Sequence, residues 1–355
     1  SRSTGSRKKV SCCYMAILLL QASWRTQKVR KTLHLSDFFV ANDNQSEKML
    51  GDELWRFLQA VTGQEIVRPH QDEKGMQAAW SAALRSSCMS RQVGAAIVSK
   101  QGELLSVGTN DPPSPKGGLY ADGGEPDHRC FKWPSDDPHC RNDRKKKEIY
   151  QEIFEKLQST KITPKNIDQE VEAPLLAPAA SIEDLVKALK STRIRDLIEF
   201  SRAIHAEMDA LLAIAREGTA KSEGATLYCT TYPCHSCARH IVAAGINEVV
   251  YIEPYDKSLA NELHSDAVRD VSVVDQPVDR KNDPRVVFRL FGGVAPRRFT
   301  ALFEKRRDLK DGDGLRVDLA HRVAHTDPIL KGSFLTLEDD VAASVAEALE
   351  GGSHA

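Results

Sequence analysis

Between His205 and Glu253 the sequence alternates two periodicities, and that alternation constrains the fold more than any other feature of the chain. The segment HAEMDALLAIAREG repeats apolar residues at Met208, Leu211, Leu212 and Ala215, the spacing of one helix face, and Gly218 supplies its stop. ATLYCTT reads as a short strand, CHSCARHIVAAGI returns to helical spacing and ends at Gly245, and EVVYI is again a strand. A further helix is expected over residues 257–268, and RVVFRLF forms a late strand. Short apolar strands separated by helices imply parallel crossovers within one sheet. Upstream, QVGAAIVSKQGELLSVGTN reads as a hairpin, with strands Val93–Val98 and Leu104–Thr109 joined by a turn at Lys100–Gly102. The expected fold is therefore α/β: a mixed five-stranded sheet, an antiparallel hairpin plus parallel βαβ units, sandwiched by helices.

The flanks are less regular. Residues 1–50 begin basic at Arg7–Lys9, pass through an apolar run at Tyr14–Leu20 and turn polar near Ala41–Lys48, as an N-terminal extension ending in a linker. The apolar run is too short to span a bilayer and reads as a buried strand. The first residue is Ser, as a truncated reading frame would give. Leu54, Trp55, Leu58 and Val61 have helical spacing, and so do Met76, Ala79, Trp80, Ala83 and Leu84, with Asp72 as the candidate cap. Periodicity fades over residues 111–200, a long insertion suited to a lid or a subunit contact. Within it a charged helix is expected over 147–158, a loop at EVEAPLLAPAAS, and a helix in SIEDLVKALKS capped by Ser181. Residues 306–355 form a charged tail with a candidate helix at Leu335–Leu349. DGDG at Asp311–Gly314 lacks the remaining ligands of a calcium loop and reads as a turn.

Hydrophobic residues make up 41% of the 355, enough for a substantial core, and the net charge is −1. That balance argues against a nucleic-acid polymer as substrate, because such binders carry a clear basic excess. It leaves room for a small anion in a local basic pocket. The eight cysteines sit in a long chain without a signal peptide, so a reducing cytoplasm is expected rather than a disulfide framework.

Two of those cysteines, Cys234 and Cys237, lie three apart directly after Pro233. Proline suits a helix entrance, so both thiols fall at the start of a helix, on one face, where the dipole favours thiolate. Two thiolates leave a zinc site incomplete. His205 opens the preceding helix, one helix–strand unit upstream. The set His205, Cys234 and Cys237 leaves a position open, the arrangement of a catalytic rather than a structural zinc. Glu207, two residues beyond His205, supplies a carboxylate for proton transfer to and from a water that zinc activates. H-x-E followed by P-C-x-x-C is the pattern of the zinc nucleobase deaminases. The bland alternative is a structural zinc knuckle or a buried cysteine pair.

HAEM with TTYPCHSC resembles the deoxycytidylate deaminase branch of the cytidine deaminase superfamily. RSSCMSRQVGAAIV, GTNDPPSPKGGLY, EFSRAIHAEMDAL and FGGVAPRRF extend the resemblance, over about residues 70–305, to bacterial anti-phage deoxycytidine-nucleotide deaminases. The resemblance implies a cytidine deaminase-like fold, a deaminase domain over 51–305 and hydrolytic deamination of dCTP or dCMP by zinc-bound hydroxide, depleting dCTP in phage defence. It also implies a likeness of residues 1–50 to the end of a P-loop kinase-like domain, although no G-x-x-x-x-G-K-[ST] is present. By resemblance, zinc is held by His205, Cys234 and Cys237, Glu207 moves protons, and Asn110 meets the sugar. Arg91 and Lys257 are candidates for a phosphate, Tyr255 for stacking on the base, and Ala206 and Thr231 complete the substrate contacts. Each has a plainer reading: turn chemistry for Asn110, surface charge for Arg91 and Lys257, core packing for Tyr255. A homo-oligomer is expected, with no membrane partner.

His128, Cys130, His139 and Cys140 have the residue types of a second zinc site, in a non-standard spacing. Cys88 and Cys229 read as small buried apolar residues. Two competing functions stand beside deoxycytidine nucleotide deamination. One is a polynucleotide deaminase acting on tRNA adenosine or single-stranded DNA cytosine. The other is a non-catalytic zinc-binding interaction module, which would have no use for Glu207.

Overall fold

The computed structural model describes residues 29–40, 47–63, 65–124, 126–162, 173–174, 181–271, 283–305 and 308–317. The apolar run Tyr14–Leu20 and the tail helix expected at Leu335–Leu349 lie outside them. In chain order the helices are α1 (Glu47–Thr62), α2 (Gln71–Ala83), α3 (Arg141–Ser159), α4 (Ile182–Leu189), α5 (Ala206–Glu217), α6 (His235–Ala243), α7 (Ala260–Leu263) and α8 (Phe299–Phe303). The strands of the main sheet are β1 (Gly94–Val98), β2 (Leu104–Thr109), β3 (Thr226–Thr231), β4 (Glu248–Glu253), β5 (Val268–Val271) and β6 (Val286–Leu290). Among the described residues no helix is long and apolar enough to cross a membrane. Two compact units divide the chain, Lys74–Phe291 and the pairing of Ser1–Glu73 with Gly292–Ala355.

The main sheet belongs to the first of these units and runs β2-β1-β3-β4-β6-β5. β1 is antiparallel to both β2 and β3, and the remaining neighbours are parallel. The mixed sheet expected from the hairpin and the crossovers is present, with six strands instead of five. The extra strand, β5, begins at Val268, where helix was expected; only Ala260–Leu263 is helical there. β5 is an edge strand of four residues whose Arg269 and Asp270 break the apolar pattern, so neither period stands out.

Register explains why helices cover both faces. Opposite residues of an antiparallel pair point to the same face and neighbours along a strand to opposite faces. Gly94 pairs with Thr109, and Ala95 with Gly108. A Cβ on Gly94 would meet the Ala79 carbonyl oxygen at 2.0 Å and the Ala83 nitrogen at 2.3 Å, so α2 lies on that face. A Cβ on Gly108 would meet the Ala206 carbonyl oxygen at 2.1 Å, so α5 lies on the other. Ala95, Ile97, Leu227 and Cys229 form the core on the α5 side with Ala206, Ala210, Ala238 and Ile241. Cys229 is fully buried there, as expected.

The insertion is better ordered by helices than its sequence suggests. The charged helix extends to Arg141–Ser159, and α4 starts where Ser181 accepts a hydrogen bond from the Asp184 N–H. Ala173–Pro174, expected as loop, makes a two-residue antiparallel ladder with Lys161–Ile162.

In the second unit, α1 forms as its spacing predicts, yet Leu54, Trp55 and Leu58 are exposed. The inward contacts come from Phe57, stacked on Phe38 at 4.5 Å, and from Arg56, bidentate to the fully buried Glu73 at 2.7 and 2.9 Å. Glu73 also accepts the His70 and Val294 backbone N–H groups, so its charge is satisfied on three sides. It takes the capping role expected of Asp72, which lies in the first turn of α2. Asp311–Gly314 is a turn, held by the Asp311 carboxylate accepting from the Asp313 and Leu315 N–H groups.

Candidate active site

The parallel strands end at one edge, where Thr231 pairs with Glu253. Such an edge is where ligand sites form in open α/β sheets. Beyond Thr231 the chain turns through Tyr232 and Pro233 into α6, whose N-cap is Cys234. Two bonds from β2 to α5 fix the height of the preceding helix: Thr109 N–H to the Asp209 carboxylate at 3.1 Å and Ser106 hydroxyl to the Ala210 carbonyl at 2.9 Å. They bring the N-cap of α5, His205, to the same edge.

His205 makes no capping bond with its side chain. Its Nδ1 instead stands 3.4 Å from Cys234 Sγ and 3.3 Å from Cys237 Sγ. Cys234 Sγ also accepts the Cys237 backbone N–H at 3.4 Å. The three donor atoms lie within 4.8 Å of one another and form the one such group among the described residues. Tetrahedral zinc, with bonds of about 2.3 Å to sulfur and about 2.0–2.1 Å to nitrogen, sets N···S separations of about 3.6 Å. The donors are spaced for that ion, and one imidazole with two thiols is a donor set for zinc.

The three donors share their protons unequally, and binding zinc would release those on His205 and Cys237. Cys237 and His205 both donate toward Cys234, which holds its thiol well below the usual range. The adjacent Cys234 raises the Cys237 thiol, with burial acting the same way. The bond to Cys234 pushes His205 up to about 9, against its burial. Glu207, 3% exposed, is pushed up to about 7 by burial, with the charge of His205 opposing. A carboxyl near 7 can accept and return a proton at neutral pH.

One cavity contains His205, Cys234 and Glu207, so the metal group opens onto it. Of the substrate contacts expected from sequence, Arg91, Asn110, Ala206, Thr231 and Tyr255 line this cavity. Lys257 does not; it is exposed beyond Tyr255. Arg91 pairs with Glu253. Asn110 uses Oδ1 to accept the Val93 N–H and Nδ2 to donate to the Arg91 carbonyl, both at 2.7 Å, which leaves one donor and one acceptor position for a ligand.

The second metal cluster is not assembled. His128 lies between the rings of Tyr120 and Trp133, His139 is held by Asp137 and Arg144, and Cys140 Sγ is 3.6 Å from Ser90 Oγ. Cys130, Cys140 and Cys88 line the cavity instead, so Cys88 is half-buried at the site and not in the core.

Sequence reasoning missed several lining residues. Asp111 is buried and accepts the Ser87 N–H and hydroxyl, which fixes the loop before Arg91. Tyr232 donates to Asp270 at 3.0 Å and meets Tyr251 edge-on at 4.8 Å. Arg141 enters from the insertion and Arg202 from the segment that joins the insertion to α5. Arg202 stands three residues before His205, a proximity that the sequence does contain; Arg141 has no such signal.

Residues 69–253, more than half of the chain, match the cytidine and deoxycytidylate deaminase zinc-binding region. The deoxycytidylate deaminase of enterobacteria phage T4 is 28% identical over 207 residues, 58% of this chain and 89% of that protein. That of phage T2 is 30% identical over 183 residues, 52% of this chain and 80% of that protein. The crystal structure of an apo dCMP deaminase from cyanophage S-TIM5 aligns with 62% of this chain and 98% of its own, at 19% identity and a TM-score of 0.30.

Proposed function

The chain belongs to the cytidine and deoxycytidylate deaminase zinc-binding family, and from that membership we propose that it hydrolyses the 4-amino group of a deoxycytidine nucleotide, dCMP or dCTP. The observation that carries this reading is the buried carboxyl of Glu207, which shares a cavity with the open side of a His–Cys–Cys group.

In this reading His205, Cys234 and Cys237 hold zinc, which when bound supplies Lewis acidity and an activated water. Glu207 would take a proton from the attacking water and deliver it to N3 of the cytosine ring. It then takes the proton of the new C4 hydroxyl and passes it to the amine, so that the C4–N bond breaks as the C4 carbonyl forms. The balance is cytosine plus water giving uracil plus ammonia. Burial serves both transfers, because it holds the carboxyl near the pH at which it works. Asn110 has one donor and one acceptor position left for the sugar, and Tyr255 offers a ring to the base. The resemblance to anti-phage deaminases supports a role in draining dCTP from an infected cell.

The test is product identification by chromatography. Zinc-loaded protein is incubated separately with dCMP, dCTP, deoxycytidine, CTP, single-stranded DNA and tRNA. Deoxyuridine nucleotides are expected from the deoxycytidine nucleotides. Turnover confined to tRNA or single-stranded DNA would replace this reading with a polynucleotide deaminase. Zinc binding without any turnover would leave an interaction module.

A further inference from the structure

Arg141 and Arg202 are the two arginines of the cavity to which the reaction above gives no role. One comes from the insertion and the other from the segment between it and α5, and they meet at one ring. The Arg141 guanidinium carbon lies 4.3 Å from the centroid of Trp133, and that of Arg202 lies 5.0 Å from the same centroid. Arg202 spends one N–H on the His128 carbonyl at 2.7 Å. Arg141 Nε is buried without a hydrogen-bond partner.

Among the described residues neither arginine has a carboxylate within 4.0 Å, whereas Arg91 is paired with Glu253. Asp111, the carboxylate of the lining besides Glu207, is occupied by Ser87. Two like charges held against one indole repel each other, and apart from the Arg202 bond to His128 their donors have no hydrogen-bond partner among the described residues. Stacking fixes the planar forks without consuming their N–H groups, which prepares them for phosphate oxygens. The positive end of α3, which starts at Arg141, adds to the same potential.

We propose that Arg141 and Arg202, braced on Trp133, bind the β- and γ-phosphates of the nucleotide, so that the insertion makes the site selective for a deoxycytidine triphosphate over the monophosphate. This rests on the deaminase reading above, and it goes beyond it by naming the substrate form and the residues that choose it. A monophosphate has a candidate partner in Arg91. Two further guanidiniums are matched by the additional charge of a triphosphate.

The experiment compares wild type, Arg141→Gln, Arg202→Gln and Arg141→Lys, all as zinc-loaded full chains with metal content and melting temperature recorded. KM and kcat are measured for dCTP, dCMP and deoxycytidine. Each glutamine variant is expected to raise KM for dCTP about tenfold or more, the loss of a charge-assisted contact. KM for dCMP and kcat on deoxycytidine stay within about twofold. Arg141→Lys, which keeps the charge, recovers part of the dCTP loss. Inorganic tripolyphosphate is expected to compete with dCTP, and less well in the variants.

Equal losses on dCTP and dCMP would overturn the assignment. So would an unchanged dCTP KM, or tripolyphosphate binding that does not compete with substrate, which would mark a separate effector site. A general fall in kcat together with zinc loss would make the pair structural. Absence of turnover by the wild type defeats the deaminase reading instead. In that case dUTP and dUMP titrations still decide the proposal, because the glutamine variants should weaken dUTP alone.

Discussion

Gly108 of β2 and Ala206 of α5 touch through backbone: a side chain at 108 would begin 2.1 Å from the Ala206 carbonyl oxygen and 2.4 Å from the Ala210 nitrogen. This contact lets the helix that carries His205 and Glu207 lie directly on the sheet. Backbone cannot give way as a flexible side chain can, so Gly108→Ala must move α5. The expected cost is about 1–3 kcal/mol, from overpacking, with weaker zinc retention because His205 moves. Urea unfolding and metal analysis check both. Gly51 is the contrast, a helical glycine with nothing within 4 Å. Gly51→Ala is expected to stabilise by about 0.5–1 kcal/mol.

Zinc bound to the folded state alone stabilises it by mass action, by about 4 kcal/mol at a thousandfold excess over Kd. A strong chelator should therefore lower the melting temperature of the wild type. Cys234→Ser should already melt at the lower temperature and respond no further to chelator. Cys229→Ala removes a buried thiol outside the ligand group, so it should cost stability yet keep the chelator response. Calorimetric scans of the three proteins, with and without chelator, separate these outcomes.

The insertion has its own charged anchor. Asp127 and Arg129 are both buried and paired at 2.7 Å, with Asp122 and Lys132 joining them. The Arg129 hydrogen bonds hold the Asp127 carboxyl well below its usual range. A depressed carboxyl contributes stability above its unfolded pKa, about 3.9, and loses it as pH falls through the lower folded value. Asp127→Ala should cost up to about 3 kcal/mol near neutral pH, less whatever Asp122 retains. The difference from wild type should shrink below pH 4. Equilibrium unfolding between pH 3 and 7 reads this, and a difference that grows toward acid would contradict it.

The parts of the site that were legible in the sequence are local. Cys234 and Cys237 share one helix turn, and His205 and Glu207 flank the start of another, so fixed spacing encodes fixed geometry. The hairpin was legible because alternation and a glycine turn coincide at Leu104–Thr109 and Gly102. What escaped is non-local. Trp133 and Arg141 of the insertion and Arg202 just beyond it converge from three places, and no spacing rule connects them. The second zinc site failed because matching residue types in one loop do not fix where their side chains end; His128 went to Trp133 and Cys140 to Ser90. Lys257 lies outside the lining for a similar reason, since closeness to Tyr255 in sequence did not bring it to the cavity.

The central claim is that Glu207 moves the protons of the reaction beside a metal it does not hold. The most direct measurement is the turnover of dCMP and dCTP by wild type and Glu207→Gln, each with zinc content determined on the same sample. The expected result is equal zinc and a rate at least about 10²–10⁴-fold lower in the variant, the usual contribution of general acid–base catalysis. A variant that keeps its zinc and deaminates as fast as the wild type would contradict the account.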